Sequence, residues 1–475
     1  MTASPELRRQ HPVRPMPSVA EAARGVLEVP SPVHFLGVGG AGMSALAAVL
    51  VRRGHVLTGS DRASNRRIRR LEALGLRTVE ESEIPAECSA VVRTAAIPDD
   101  HPAMVAALAR NLPTFRYAEM LAGLAATTTS AAVAGSHGKT TTSAMLAQIL
   151  MAARRNPSAV IGGDVLDFGD GNARWGVDGP LVHEACEYAG SFLVYRPSHA
   201  VITNLGDDHV DSYGGLDALR GAFRQFAAGV DGAGCLVTSA ALARDLDLRG
   251  VAGARLVTLG NSCGDVRLRI EGGTFELRFP DGARSGPIQL RIPGRHNIMN
   301  AAMAAAAARE AFGVELAAIR RALLGFRGVE GRFQILRDEE HRALVDDYAH
   351  HPAEIEMTLL TCRDRFPDRR LRVLFQPHLE ERTERHFQAF LNALALADEL
   401  VLMKDCAVPG RDGGRHRGAH RLYEGLLKLG VRASYADTPQ EAEAWFSVGA
   451  REGDVDVLLG AGDSRDLAHA LLRRP

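Results

Sequence analysis

The segment Gly135-Ser-His-Gly-Lys-Thr-Thr-Thr142 combines the residue types that bind phosphate groups. Its glycines let backbone N–H groups approach an anion, a lysine ammonium can reach the terminal oxygens, and threonine hydroxyls can bind Mg²⁺. Lys139 is one of only three lysines among the 56 lysines and arginines of the chain. Because arginine supplies nearly all the other positive charge, a lysine here indicates a need for a compact cation. The segment predicts a nucleotide phosphate site, with Thr140 or Thr141 holding Mg²⁺.

The residues on either side predict the structure that such a loop needs. Residues 130–134 form a short apolar run that predicts a buried strand, and residues 140–153 contain few helix breakers. The glycines therefore fall at a turn from strand to helix, where the helix N-terminus faces the anion. The standard phosphate-loop pattern would place another glycine at Val133, so this is a shortened form of the motif.

A second glycine turn, Gly37-Val-Gly-Gly-Ala-Gly-Met43, follows the apolar run 33–36 near the start of the chain. An acidic residue, Asp61, follows about twenty positions later, as in the dinucleotide-binding fingerprint. The glycines indicate only that the backbone can approach a diphosphate closely. NAD, FAD and a nucleotide-sugar diphosphate therefore remain open as ligands of this turn.

Polar residues end several other predicted strands, and the carboxyl ends of parallel strands share one edge of a sheet. The candidate metal and phosphate-site residues that converge there are Glu184, Glu187, Asp207, Asp208, His209 and Asp211. Among them Glu184 and His209, at strand ends, are the best suited to Mg²⁺ beside a nucleotide's phosphates. His296 and Asn297 begin an alanine-rich helix, where they either cap the helix or hold a base. His350 and His351 precede a proline. No further set of Cys or His ligands lies near them in the sequence, so they are expected to form hydrogen bonds and not to bind a metal.

Length and composition indicate a globular chain of several domains. At 475 residues it predicts roughly three domains of about 150 residues each, with 46% hydrophobic residues and a net charge of −1. The charge excludes a dedicated nucleic-acid binder, and the lack of a long apolar run predicts a cytoplasmic protein without membrane insertion. Alternating strand and helix patterns predict an α/β fold. We expect a flexible leader 1–28, a Rossmann-like domain 29–126, a P-loop ATPase-like domain with a parallel sheet 127–328, and a Rossmann-like α/β domain 329–475.

The order of seven motifs resembles the Mur ligases over about residues 30–465, and their alanine-adding members more than the folylpolyglutamate synthases. These motifs are Gly-x-Gly-Gly-x-Gly-Met, Gly-Ser-His-Gly-Lys-Thr-Thr-Thr, Glu-Ala-Cys-Glu, Asp-His-x-Asp, Gly-Arg-His-Asn, Asp-Asp-Tyr-Ala-His-His-Pro and Phe-Gln-Pro-His. The resemblance implies that the three domains bind a UDP-sugar, ATP and an amino acid, in that order. It further implies a monomer or weak homodimer.

The resemblance also implies a reaction, in which ATP and Mg²⁺ phosphorylate the lactyl carboxylate of UDP-N-acetylmuramate. L-Alanine then attacks the acyl phosphate to form an amide. Catalytic roles would fall to Lys139, His209, His350 and Arg382. ATP would contact Gly135, Ser136, His137, Gly138, Lys139, Thr140, Thr141, His296, Asn297 and Arg332. The other substrates would contact Gly37, Gly39, Gly40, Gly42, Met43, Asp61, Tyr348, His350, His378 and Arg382. The metal would bind Thr140, Glu184 and His209.

Several positions depart from the pattern of the relatives, among them Gly331 and Leu379. These two residues stand where arginines are expected, which removes positive charge where phosphate and carboxylate would bind. The alternatives are a murein-peptide recycling ligase, which joins a preformed peptide to the same UDP-sugar, and a non-catalytic UDP-sugar-binding homologue. A dinucleotide oxidoreductase is disfavoured because it leaves the phosphate loop unexplained.

Overall fold

The computed structural model describes residues 29–169, 171–208, 210–406, 417–462 and 464–473. The expected leader 1–28 and His209, which was predicted to act in catalysis and metal binding, lie outside the described residues. The described chain forms three separate sheets with helices between their strands. The predicted three-part α/β architecture is therefore confirmed. Among the described residues, no helix is both long and apolar enough to cross a membrane.

The N-terminal sheet has five parallel strands. They are β1 Val33–Leu36, β2 Leu57–Ser60, β3 Arg77–Thr78, β4 Ala90–Arg93 and β5 Thr114–Arg116. The helices are Ala41–Arg52, Arg66–Ala73, Pro102–Ala109 and Tyr117–Ala125. The strand order β3-β2-β1-β4-β5 places the glycine turn 37–42 directly after the central strand β1. This is the Rossmann-like arrangement, in which a ligand binds beyond the carboxyl ends of the strands.

The central sheet has ten strands. They are β6 Ser130–Ala134, β7 Ser158–Val160, β8 Ala173–Arg174, β9 Leu181–Glu184, β10 His199–Ile202, β11 Cys235–Ser239, β12 Arg255–Gly260, β13 Val266–Glu271, β14 Thr274–Arg278 and β15 Ile288–Gln289. Its α-helices are Lys139–Ala152, Leu216–Ala228, Ala240–Asp245, Arg295–Phe312 and Leu316–Gly325. The order is β15-β14-β13-β12-β11-β10-β6-β9-β7-β8. Pairing is parallel except at the two ends, where β8, β14 and β15 run antiparallel to their neighbours.

This strand order brings the predicted site residues together. The phosphate loop follows β6, which lies between β9 and β10. Glu184 ends β9 and Asn204 follows β10, so both lie at the same edge as the loop. The alanine-rich helix Arg295–Phe312 packs against the helix Lys139–Ala152, which begins inside the loop. Small alanine side chains allow close packing of the two helices, and this places both helix starts at one crevice.

The C-terminal sheet has six strands. They are β16 Gln334–Asp338, β17 Arg342–Asp347, β18 Leu371–Gln376, β19 Glu399–Met403, β20 Ala433–Ala436 and β21 Asp454–Gly460. The helices are Pro352–Arg365, Glu380–Arg385, Phe387–Leu394, Gly418–Lys428, Pro439–Ser447 and Ser464–Leu472. The order is β16-β17-β21-β18-β19-β20, and only the edge strand β16 pairs antiparallel. Tyr348 and His378 therefore follow strands separated by β21 alone.

A cluster of charged side chains joins all three parts of the chain. Arg66 of the N-terminal domain donates from Nη1 to Glu330 Oε1 at 2.8 Å, and its Nη2 also binds Asp164 of the central domain. Glu330 lies where the chain passes into the C-terminal domain, and Arg465 adds a further positive charge. Burial alone would raise the pKa of Glu330, but Arg66 and Arg465 lower it to about 2. We call Arg66, Asp164, Glu330 and Arg465 the three-domain junction.

Candidate active site

A cavity of about 650 Å³ lies between the central and C-terminal domains. Both domains supply polar groups to its wall, so residues predicted to bind ATP and residues predicted to bind the amino acid face the same space. The predicted site residues that line it are Ser136, His137, Gly138, Lys139, Thr140, Thr141, Glu184, His296, Asn297, Arg332 and His350.

The phosphate loop has a backbone that only glycine can adopt at two positions. Gly135 has a φ of +130° and Gly138 has a φ of +83°. A Cβ atom at Gly135 would lie 2.0 Å from Thr203 Oγ1, and one at Gly138 would lie 2.3 Å from Asn300 Oδ1. The loop is held in place by the Thr203 hydroxyl, which donates to the His137 carbonyl at 2.7 Å. This close-fitted cradle of backbone groups has the form that phosphate binding requires.

The ammonium of Lys139 is held inside the loop. It donates to Glu187 Oε2 at 2.9 Å and to the Ser136 carbonyl at 3.2 Å, and it also binds the Gly135 carbonyl. Burial alone would lower the pKa of Lys139, but the fully buried Glu187 carboxylate raises it above its ordinary value. Lys139 therefore remains a cation at neutral pH.

Thr140 and Glu184 offer the oxygen ligands that Mg²⁺ prefers. The Thr140 hydroxyl donates to Glu184 Oε2 at 3.0 Å, while Glu184 Oε1 accepts a hydrogen bond from the N–H of Gly162. A hydroxyl and a carboxylate at the edge of the phosphate loop fit a nucleotide-bound Mg²⁺. The sequence left Thr140 and Thr141 as alternatives, and the contact with Glu184 favours Thr140.

His296 and Asn297 do not cap the helix that they begin. The residue at the N-cap position is Gly294, and the Asn297 amide donates to the Pro293 carbonyl at 2.7 Å. His296 Nδ1 is buried without a hydrogen bond to any described residue. Burial lowers the pKa of His296 to about 4, so the ring is neutral at pH 7. A neutral imidazole with a free ring nitrogen favours the alternative role, which is contact with a base.

Glu354, which the sequence reasoning missed, connects the two halves of the cavity. Its Oε1 lies 2.9 Å from His137 Nδ1 in the phosphate loop, and its Oε2 accepts from the N–H groups of His350 and His351 at 3.1 and 3.2 Å. Burial would raise the pKa of Glu354, but His350 and His137 hold it well below its usual range. The signal was present in the sequence, because a Glu three residues after a helix N-cap is the mark of a capping box.

The three residues predicted to bind the amino acid lie in a row of ring contacts, and Arg332, which is predicted to contact ATP, lies beside them. The Tyr348 and His350 ring centroids are 5.2 Å apart, those of His350 and His378 are 4.8 Å apart, and the Arg332 guanidinium lies 4.7 Å from the Tyr348 ring. Burial lowers the pKa of His350, which keeps the ring neutral. Of these four residues, Arg332 and His350 line the cavity, whereas Tyr348 and His378 contact His350 but are not part of the cavity wall.

Arg382 forms a direct contact between the C-terminal and central domains. Its Nη2 donates to Asp208 Oδ1 at 2.8 Å, and both side chains are more than nine-tenths buried. Its Nη1 makes no hydrogen bond within the described part of the chain. Arg382 can therefore donate to an anion while it holds the two domains together.

Gly331 and Leu379, which stand where arginines are expected, have different structural surroundings. A Cβ atom at Gly331 would lie 2.5 Å from Arg465 Nη2, so the guanidinium of Arg465 fills the space of a side chain there. The positive charge that Gly331 lacks is thus present nearby. Leu379 has a φ of +65°, a conformation that costs a non-glycine residue about 1–3 kcal/mol.

Replacing Gly331 by alanine is expected to destabilise the protein by about 1–2 kcal/mol. The φ of +66° disfavours any side chain, and Arg465 must also move. Urea unfolding measures the effect. The control is Gly221→Ala, at an exposed position of the helix Leu216–Ala228, where a Cβ meets nothing within 4 Å. The control should leave stability unchanged or raise it slightly, and an equal loss in both variants would contradict the expectation.

The N-terminal glycine turn lies outside the 650 Å³ cavity. The Gly39 N–H donates to Asp61 Oδ2 at 2.8 Å, so Asp61 holds the turn itself. A Cβ atom at Gly42 would lie 2.9 Å from the Tyr117 ring and one at Gly37 would lie 2.6 Å from Thr94 Cγ2, whereas one at Gly40 would make only ordinary contacts. The side chain of Met43 is buried in the hydrophobic core, which leaves only its backbone for a ligand.

Three family models match this chain. They describe the Mur ligase family catalytic domain at residues 32–129, the Mur ligase middle domain at 182–308 and the Mur ligase glutamate ligase domain at 331–462. Each model falls in one of the three parts of the fold.

Similar proteins match over nearly the whole length. A UDP-N-acetylmuramate–L-alanine ligase of Halorhodospira halophila is 39% identical, with 90% of each chain covered. One of Solidesulfovibrio magneticus is 38% identical over 90% of this chain and 95% of its own. The crystal structure of a UDP-N-acetylmuramate-alanine ligase from Thermotoga maritima superposes with a TM-score of 0.78 at 29% identity, covering 93% of this chain and 98% of its own. A murein peptide ligase from Psychrobacter arcticus shares the fold at 24% identity, with a TM-score of 0.71 and coverage of 93% of this chain and 98% of its own.

Proposed function

This chain belongs to the Mur ligase family, and we propose that it joins L-alanine to the lactyl carboxylate of UDP-N-acetylmuramate. It is an ATP-dependent ligase that forms an amide bond in peptidoglycan precursor synthesis. The observation that supports the substrate choice best is the whole-length similarity to alanine-adding ligases. The cavity supports it independently, because phosphate-binding and amino-acid-type groups face the same space.

In the first step a lactyl carboxylate oxygen attacks the γ-phosphorus of ATP, and the bond to the ADP oxygen breaks. We propose that Lys139 and the loop N–H groups stabilise the charge on the transferred phosphoryl group. Thr140 and Glu184 would hold Mg²⁺, which neutralises charge on the phosphate oxygens when it is bound. His296 and Asn297 would orient the adenine. The product of this step is an acyl phosphate.

In the second step the alanine amine attacks the acyl carbon, and phosphate leaves from the tetrahedral intermediate. We propose His350 as the proton acceptor for this amine. Its Nδ1 lies 3.0 Å from the Tyr348 carbonyl and is therefore assigned the proton, which leaves Nε2 free to accept one. Its lowered pKa keeps the ring neutral and ready for this role.

The remaining C-terminal residues position the amino acid and the departing phosphate. We propose that the free Nη1 of Arg382 donates to the phosphate, that Arg332 contacts ATP, and that Tyr348 and His378 shape the alanine site around His350. Closure between the two domains excludes water, which would otherwise hydrolyse the acyl phosphate.

The glycine turn of the N-terminal domain would take the diphosphate of the UDP-sugar. Its close backbone path, fixed by Asp61, supports this assignment. We further propose that the protein acts in the cytoplasm as a monomer or weak homodimer.

Purified protein is expected to release ADP only when Mg²⁺, ATP, UDP-N-acetylmuramate and L-alanine are all present. A coupled ADP assay measures the rate, and omission of each component in turn is the control. Turnover with a preformed tripeptide but not with alanine would contradict the proposal and establish a recycling ligase. Binding of the UDP-sugar without turnover on either acceptor would establish a non-catalytic homologue.

A further inference from the structure

Three side chains converge beside the phosphate loop and have no role in the proposed reaction. Asp207 Oδ1 lies 3.3 Å from His351 Nε2, and Asp207 Oδ2 lies 3.5 Å from His386 Nδ1. The two imidazole rings have centroids 4.9 Å apart. One possible ligand atom from each of the three residues lies within 4.8 Å of the other two. We call these three residues the Asp-His-His cluster.

The environment of His351 indicates a ligand rather than a structural contact. His351 is 4% exposed, and its Nε2 makes no hydrogen bond to any described residue, although Asp207 is near. Its Nδ1 faces the N–H of Ala353 at 3.4 Å, where it caps the helix Pro352–Arg365. The cap holds the ring with Nε2 facing the cluster. A metal bound at Nε2 would require the proton on Nδ1, so this long contact with Ala353 would be given up when the metal binds.

The cluster joins two domains. Asp207 follows β10 of the central domain, whereas His351 precedes one C-terminal helix and His386 follows another. The neighbouring contact between Arg382 and Asp208 crosses the same boundary. A ligand bound by all three side chains would therefore hold the central and C-terminal domains together.

We propose that the Asp-His-His cluster binds one divalent transition metal ion of the zinc class, which fastens the C-terminal domain to the central domain. Two imidazoles and a carboxylate suit Zn²⁺, whereas Mg²⁺ prefers oxygen ligands alone. Ligands of a tetrahedral zinc at about 2.0–2.1 Å stand roughly 3.3 Å apart. The two contacts of Asp207 already have this spacing, and its side chain is 57% exposed and can adjust. Water would complete the coordination.

This site differs from the Mg²⁺ position at Thr140 and Glu184 and does not depend on the proposed ligase activity. Sequence reasoning assigned His351 to hydrogen bonding because no further ligands lay near it in the chain. The fold supplies these ligands. Asp207 lies far from His351 in sequence, and His386 is separated from it by β18 and two helices. A metal held here would oppose opening of the cleft and so slow any step that requires opening.

The test is calorimetric titration of metal-stripped, full-length protein with Zn²⁺ alone, without nucleotide or Mg²⁺. We expect one Zn²⁺ per chain, retained in excess Mg²⁺. Asp207→Asn and His386→Phe should each weaken this binding by about tenfold or more. The exposed variant His420→Ala is the matched control and should bind as the unmodified chain does.

Co²⁺ absorption provides a second measurement that is independent of stability. The unmodified chain should give visible bands of a nitrogen- and oxygen-ligated ion, and these bands should be lost in His386→Phe. Melting temperatures in chelator establish that each variant is folded. Unchanged Zn²⁺ affinity in folded Asp207→Asn and His386→Phe, or displacement of Zn²⁺ by Mg²⁺, would overturn the proposal.

Discussion

Replacing Lys139 by methionine is expected to lower turnover by about 10²–10³-fold or more and to destabilise the protein by about 3–5 kcal/mol. The catalytic loss follows because no cation reaches the transferred phosphoryl group. The loss of stability follows because Glu187 is fully buried and would lose the cation that pairs with it. Rates of ADP release and urea unfolding measure the two effects separately.

Two further variants separate catalysis from stability at this position. Lys139→Met with Glu187→Gln should recover most of the stability but none of the turnover, because it removes the unpaired charge and not the need for a cation. Lys139→Arg keeps the charge but replaces a compact ammonium with a planar fork, so it should bind the UDP-sugar normally without turnover. Near-normal turnover in Lys139→Arg would rule out the role assigned to the lysine.

Replacing Arg66 by alanine is expected to destabilise the protein by about 2–3 kcal/mol. Asp164 and Glu330 would remain as neighbouring carboxylates with 5% and 10% exposure and without their main cation. The loss should fall below the roughly 3–5 kcal/mol of a buried pair because the Arg66 side chain is 38% exposed and solvent screens its charge. Urea unfolding at pH 7 measures the difference.

The pH dependence of stability provides an independent check on the same junction. The pKa of Glu330 is about 2 in the folded protein and lies below its ordinary value of 4.5. A carboxyl group whose pKa is lower in the folded state contributes stability at pH values above its pKa in the unfolded state. This stability is lost as the pH falls from about 5 towards 2. Arg66→Ala should lose less stability than the unmodified chain across this range.

The control for Arg66→Ala is Arg62→Ala, which removes an arginine that is near Arg66 in sequence but more exposed to solvent. Arg62 is 63% exposed, and its pair with Glu81 lies at the surface. Its removal should change stability by no more than about 0.5 kcal/mol. Equal losses in the two variants would show that the junction contributes no more than a surface ion pair.

The parallel part of the fold could be predicted from the sequence because buried strands are continuous apolar runs. The apolar runs 33–36 and 130–134 each precede a glycine turn, and they coincide with β1 and β6. The antiparallel strands β13 and β14 were missed. Their alternation of buried and exposed residues was visible in Val266–Glu271, but short alternating runs carry a weaker signal than continuous ones.

The phosphate loop was the most direct prediction, because Lys139 and Thr140 lie in one continuous segment. The convergence of polar residues at strand ends also predicted Glu187 near the phosphate site, but not its pairing with Lys139, which lies 48 residues away. Glu354 lies 217 residues from His137 and was not predicted. Such contacts depend on how strands are ordered in two different sheets, and local spacing does not encode that order.

The position of Glu354 has a thermodynamic consequence for substrate binding. One of its oxygens faces His137 in the phosphate loop, and the other binds the N–H groups beside His350. A nucleotide that alters the first contact must alter the second, and linkage requires the effect to be reciprocal. The factor by which ATP changes the affinity for alanine is therefore the factor by which alanine changes the affinity for ATP. Through this single carboxylate, the binding of one substrate can change the affinity for the other before any bond is made.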